Sequence, residues 1–182
     1  MIRNVFVHRK QIWLPTIWGW LLLLAGLCGV VIVGVRNLHG FLSQHHPVGA
    51  SVLVVEGWLD PGDLDQAARA IREGGYKSVV TTGGPIESWL NLHYATFADM
   101  AADYLKRHGL ENVSVVAVPA PFSAQDRTFL SAVMVREWAK KSGLRLIRLD
   151  IFTSGTHARR SRLLYQFAFG ANVEIGVLAA KS

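Results

Sequence analysis

The residues best suited to chemistry stand in four short clusters. In Ser154-Gly155-Thr156-His157-Ala158-Arg159-Arg160 a histidine and an arginine are three residues apart. On a helix that spacing puts His157 and Arg160 on one side, whereas Arg159 and Arg162 point elsewhere. Ser154 or Thr156 is a candidate cap, and the free N–H groups and dipole of a helix N-terminus favour an anion. Imidazole, guanidinium and helix end together suit a phosphate or a carboxylate. The competing reading is a solvated basic helix face.

The second cluster, Thr81-Thr82-Gly83-Gly84-Pro85, has the composition of a turn that brings backbone N–H groups close to an anion. It lacks both the GxGxxG spacing and a terminal GK[ST], so a plain tight turn competes. Asp126-Arg127-Thr128 supplies a carboxylate, a guanidinium and a hydroxyl at a helix start. There Asp126 either meets a ligand or simply complements the helix dipole. Glu56 closes an apolar run and is the best-placed general base, unless it only accepts loop N–H bonds. Assembled, Gly83, Gly84, Arg127, Thr128, Ser154, Thr156 and Arg160 would hold an anionic ligand. His157 would act as acid or electrostatic stabiliser, and Glu56 or Asp126 would activate water.

Other chemistries find little support. The chain has no GxSxG elbow, HExxH, EF-hand or deaminase signature. Ser154, His157 and Asp126 form a triad on paper only, with no supporting spacing. One cysteine excludes a disulfide framework and a multi-cysteine metal site. His45-His46, without a nearby cysteine or carboxylate, reads as linker, so no metal set and no cofactor is identified.

Those clusters need a scaffold, and the chain alternates strand and helix to make one. Strands are expected at Ser51–Val55, Ser78–Thr82, Val113–Val118, Leu144–Phe152 and Val173–Leu178. Between them the helices are Leu64–Arg72, His93–His108 ended by Gly109, Ala124–Lys141 capped by Ser123, and Thr156–Phe169. Such alternation implies crossover connections and a mostly parallel sheet covered on both faces, an α/β Rossmann-like three-layer domain. In an open parallel sheet the ligand sits beyond the strand C-termini, where all four clusters fall.

Ahead of that domain lie 24 residues, Ile12 to Val35, without a formal charge. They are long enough to cross a hydrocarbon core of about 30 Å as one N-terminal transmembrane helix. Pro15 suits its start, and Trp13, Trp18 and Trp20 suit an interface. Arg3, Arg9 and Lys10 precede the run and Arg36 follows, so the N-terminus is expected in the cytoplasm with the domain outside. Leu27 before Cys28 spoils a lipoprotein box, which favours a retained signal-anchor. The organisation is therefore 1–11 cytoplasmic, 12–35 transmembrane, 36–50 linker and 51–182 extracytoplasmic domain. The net charge of +6 splits accordingly: residues 1–36 carry four basic and no acidic side chains, the remainder 15 basic and 13 acidic. A nearly balanced, exported domain is a poor nucleic-acid binder.

Over about residues 51–178 the chain resembles the domain-of-unknown-function 218 family, the YdcF-like or SanA/ElyC-like envelope proteins. The marks are VVEGW at the first strand, TTGGP at the second, DRT at 126–128 and THARRSR after the fourth strand. His157 and Arg160 match the family's His-x-x-Arg pair. Glu56-Gly57-Trp58 departs from the family's usual VVLGGG, and Asp99 lies near the place of a family glutamate. The resemblance implies a Rossmann-like fold on a membrane anchor in the cell envelope. Three functions follow as expectations. One is binding or processing a phosphorylated glycan or peptidoglycan precursor at the cytoplasmic membrane. The second is a non-enzymatic assembly subunit, its membrane-protein partner held through the anchor, where Ala25 and Gly29 are small, or through the open C-terminal side after the fifth strand. The third is a nucleotide-like or S-adenosylmethionine-like ligand.

Overall fold

The computed structural model describes residues 14–87, 93–108, 110 and 113–181. The expected topology signals Arg3, Arg9 and Lys10, together with Trp13 and Gly109, lie outside the described residues. Two compact units divide the chain, Met1–Leu38 and His39–Ser182. Helix α1 (Ile17–Leu42), which begins in the first, spans 26 residues with most of its large apolar side chains exposed. Among the described residues it is the one helix long and apolar enough to cross a membrane.

The second unit carries five strands, β1 (Val52–Glu56), β2 (Ser78–Gly83), β3 (Ser114–Pro119), β4 (Arg148–Thr153) and β5 (Glu174–Ala179). They form one wholly parallel sheet in the order β3-β2-β1-β4-β5. Helices α2 (Pro61–Gly74), α3 (Phe97–Arg107), α4 (Arg127–Lys141) and α5 (Ala158–Phe169) connect them. The three-layer α/β architecture read from the alternation is the one observed.

Alternation along β1 explains its continuous apolar run. Leu53 and Val55 join α2 and α3 in one core, while Val52 and Val54 join α4 and α5 in the other. With helices on both faces, every β1 side chain is buried. The chain leaves β3 at one edge and re-enters the sheet as β4 beside β1, so strand order reverses between β1 and β4. That reversal opens the crevice in which such sheets bind ligands.

Several element boundaries differ from expectation for local reasons. Helix α3 begins at Phe97, not His93, because Thr96 caps it: the Thr96 hydroxyl accepts from Asp99 N–H at 3.1 Å and donates to the Asp99 carboxylate at 2.5 Å. This N-cap pair accounts for Asp99 structurally. Helix α4 begins at Arg127, not Ala124, because Ser123 folds back onto Gln125 in a local turn. Asp126 takes the N-cap position in left-handed backbone, φ 55°, without a side-chain capping bond. A left-handed Gly143 follows the end of α4, and β4 starts only at Arg148, with Leu144 and Ile147 exposed before it. After β4 a single 3₁₀ turn, Gly155–His157, precedes α5, so neither Ser154 nor Thr156 makes a side-chain cap.

The polar stretch expected as linker is partly built into the domain. His46 pairs antiparallel with Val177 at the β5 edge, through bonds of 2.7 and 3.0 Å. Asp150, wholly buried in β4, accepts from Val48 N–H at 2.8 Å, Ala50 N–H at 3.0 Å and the Tyr76 hydroxyl at 3.2 Å. Gly176 makes room for this clamp. A Cβ there would collide with Asp150 Oδ1 and stand 2.7 Å from Val48 N.

Candidate functional site

At the C-terminal end of the sheet the apolar α4/α5 core gives way to a polar layer. Side chains alternate along a strand, so Glu56 shares the face of Val52 and Val54, Thr82 that of Val80, and Thr153 that of Leu149 and Ile151. Register sets Thr82 directly beside Glu56. Thr153 Oγ1 donates to Glu56 Oε2 at 2.5 Å, and Ser161 Oγ of α5 donates to Oε1 at 2.9 Å. Glu56 is 1% exposed. Burial pushes its carboxyl above the ordinary carboxylate range; the hydroxyls of Thr153 and Ser161, the Trp58 indole N–H and the charge of Arg160 pull the other way. One helical turn beyond Ser161, the Tyr165 hydroxyl is buried without a partner, and its phenol is pushed far up by burial and by Glu56. Thr82 Oγ1 is likewise buried and unpartnered.

The strand passes from this buried layer to the surface in two residues, and Gly57 permits it. A Cβ at Gly57 would strike the Phe97 carbonyl oxygen and lie 2.9 Å from that of Thr82, while the Gly57 N–H donates to Thr82 O at 2.6 Å. Trp58 then emerges 41% exposed. Its ring meets the exposed His157 ring edge-on, centroids 5.0 Å apart at 67°. Arg160, exposed one helical turn on, acts electrostatically on Glu56. Glu56, Trp58, His157 and Arg160 thus gather at the switch point between β1 and β4.

The other expected residues take different positions. Gly83 ends β2 with ordinary backbone; its missing Cβ is what admits Phe97, whose Cβ would otherwise be 2.7 Å away. Gly84 accepts Phe97 N–H through its carbonyl at 2.9 Å. Asp126 and Arg127 are exposed and Thr128 half-buried at the start of α4. No hydrogen bond or ion pair links these three side chains to His157 or Arg160. Ser154 acts on Asp63 of α2, opposing the upward push that burial and Asp60 exert on that carboxyl. Thr156 is exposed. Arg162 is directed away as its spacing requires, and donates to Ile175 O at 2.9 Å. No group of three or more metal-ligating side chains occurs among the described residues.

Ser161 and Tyr165 escaped the sequence reading, as did the contacts that Thr82, Thr153 and Trp58 make around Glu56. A signal was present: His157, Ser161 and Tyr165 recur every four residues, a polar stripe along one side of α5. Its link to Glu56 needs the β1–β4 pairing, which is non-local.

No protein-family model matches the chain, and no curated protein matches it. A cationic, aromatic surface stands over a buried acid held by hydroxyls. Such a surface can bind an anion, and the acid can fix the groups that do so.

Proposed function

We propose that the domain binds a phosphorylated cell-envelope precursor at the switch point between β1 and β4, as a membrane-anchored member of the domain-of-unknown-function 218 family. The reading takes α1 as a signal-anchor in the cytoplasmic membrane, with the domain outside. The observation that carries it is the pairing of exposed His157 and Arg160 over Glu56, at the strand ends where ligands enter parallel sheets. His157 and Arg160 supply charge to a phosphate, and the N-terminal turn of α5 supplies backbone donors. Glu56 is a positioning residue: buried, it orients α5 through Ser161 and the rim through Trp58.

The test is thermal unfolding of the full-length protein in lipid nanodiscs, with and without an undecaprenyl-phosphate-linked glycan. Protection of the wild type that disappears in His157→Ala supports the site. Protection that persists unchanged in His157→Ala refutes it.

A second reading, the assembly subunit, has its own observation. On α5, Leu163 and Phe167 lie one turn apart and 49% and 69% exposed, beside a shallow hollow of about 470 Å³ against β5. Co-purification of a membrane partner that survives His157→Ala but fails in Phe167→Ser would favour that reading.

A further inference from the structure

We propose that Trp58 is the sugar platform of this site, so that the ligand is a glycosyl phosphate. Its phosphate rests on His157 and Arg160, and its sugar ring lies on the exposed indole. The inference rests on the anionic-ligand reading above and adds the class of substrate to it.

In the β1–α2 loop Leu59 is buried and Trp58 is exposed, and Trp58 surfaces one glycine away from a fully buried acid. Gly57 fixes where the indole emerges, because the backbones of Phe97 and Thr82 leave no room for a side chain there. Its orientation is set as well. The indole N–H is drawn to the Glu56 carboxylate, and the ring meets His157 edge-on at 5.0 Å. At 41% exposure the indole offers a ligand part of its flat apolar surface. That surface suits the C–H face of a pyranose, and a ring already held in place loses little freedom when it is covered.

The surroundings supply what a sugar needs besides a flat face. Asp60 and Asp63 follow within five residues, at the start of α2, and Ser154 of the β4–α5 loop reaches Asp63. Carboxylates accept hydrogen bonds from sugar hydroxyls. Their negative charge also repels a chain of further phosphates, so one phosphate fits better than a triphosphate. Cation and carboxylate are thus segregated: His157 and Arg160 at the start of α5, Asp60 and Asp63 at the start of α2, with Trp58 in the loop from β1 to α2. A monophosphate bearing a hydroxyl-rich ring matches that division.

The experiment is calorimetric titration of the full-length protein in nanodiscs with inorganic phosphate, glucose 1-phosphate, glucose and uridine monophosphate. Glucose 1-phosphate is expected to bind the wild type about tenfold more tightly than inorganic phosphate. That ratio is expected to fall to about one in Trp58→Ala and in Trp58→Leu, and to persist in Trp58→Phe, which keeps an aromatic face. The leucine variant keeps apolar bulk in the loop, so its loss of the ratio is not a loss of folding. Equal wild-type affinities for phosphate and glucose 1-phosphate overturn the sugar platform and leave the anion site intact. An unchanged ratio in both Trp58→Ala and Trp58→Leu overturns it too, as does a stronger, Trp58-dependent preference for uridine monophosphate. Wild-type protein that binds neither phosphate nor glucose 1-phosphate refutes both this inference and the anionic-ligand reading.

Discussion

Two carboxylates are buried in the same sheet, Asp150 in register with Leu53 and so three residues nearer the strands' N-terminal ends than Glu56, and they are satisfied in opposite ways. Asp150, on β4, takes two backbone N–H groups and one phenol, all from segments it pins to the domain. Glu56, at the C-terminal end of β1, takes the side-chain hydroxyls of Thr153 and Ser161, beside the hydroxyls of Thr82 and Tyr165, which have no partner. Backbone donors cannot turn away, so the first arrangement is a fixed clamp. Hydroxyls can reverse their hydrogen bonds, so the second accommodates either protonation state. A fold that needs its N-terminal edge held and its C-terminal edge chemically adaptable would be built this way. The contrast separates architecture from site.

The largest effect is expected at the clamp. Asp150→Ala orphans the Val48 and Ala50 N–H groups and the Tyr76 hydroxyl, and should lower unfolding free energy by about 3 kcal/mol. Denaturant unfolding, combined with faster hydrogen exchange at residues 46–50, checks it. A fall of less than about 1 kcal/mol would show that the linker does not depend on Asp150.

Gly57→Ala comes next. Its new methyl meets backbone oxygens rather than movable side chains, so a loss of about 2 kcal/mol is expected by thermal unfolding. The same variant should weaken ligand binding, because the indole emerges from this turn. Stability and binding that both remain as in the wild type would mean the loop relaxes freely.

Glu56→Gln should behave unlike any change at Asp150. Burial raises the Glu56 carboxyl above its ordinary value of 4.5, so the folded state keeps its proton to higher pH than the unfolded state. The stability Glu56 contributes is therefore fully present below about pH 4.5 and declines as pH rises through the raised folded value. Glutamine does not titrate. Unfolding measured from pH 4 to 8 should show the variant gaining on the wild type as pH increases. A constant deficit at every pH would mean Glu56 is held ionised like an ordinary paired carboxylate.

The smallest effect is at Tyr165. Its hydroxyl is buried without a partner, so Tyr165→Phe should be neutral or stabilising by about 0.5 kcal/mol. A loss above about 1 kcal/mol would reveal a hydrogen bond to the polar layer.

How much of this was legible beforehand depends on how local each feature is. β1, buried on both faces, announces itself as an unbroken apolar run, and the glycines after α2 mark its end. The start of α3 is decided by Thr96 and Asp99, a capping pair already present in the sequence though masked by the apolar pattern running ahead of it. His157 and Arg160 were readable as a pair because helical spacing is a local rule. The clamp was not readable: Asp150 lies 100 and 102 residues from the N–H groups it holds. Nor was the polar layer, in which Glu56 meets Thr153 and Ser161 across separations of 97 and 105 residues. Glu56, read as the best-placed general base, is enclosed, and the surface beside it belongs to Trp58.

The division of labour between the two ends is tested most directly by one measurement on three proteins. Thermal unfolding is recorded for wild type, Asp150→Asn and the double variant His157→Ala, Arg160→Ala, each in nanodiscs with and without saturating glucose 1-phosphate. The expected result is a crossed one. Asp150→Asn melts at a lower temperature but keeps the full ligand-induced shift, whereas the double variant melts like the wild type and shows no shift. A shift that vanishes in Asp150→Asn at temperatures where it is folded, or that survives in the double variant, would contradict the separation of clamp from site.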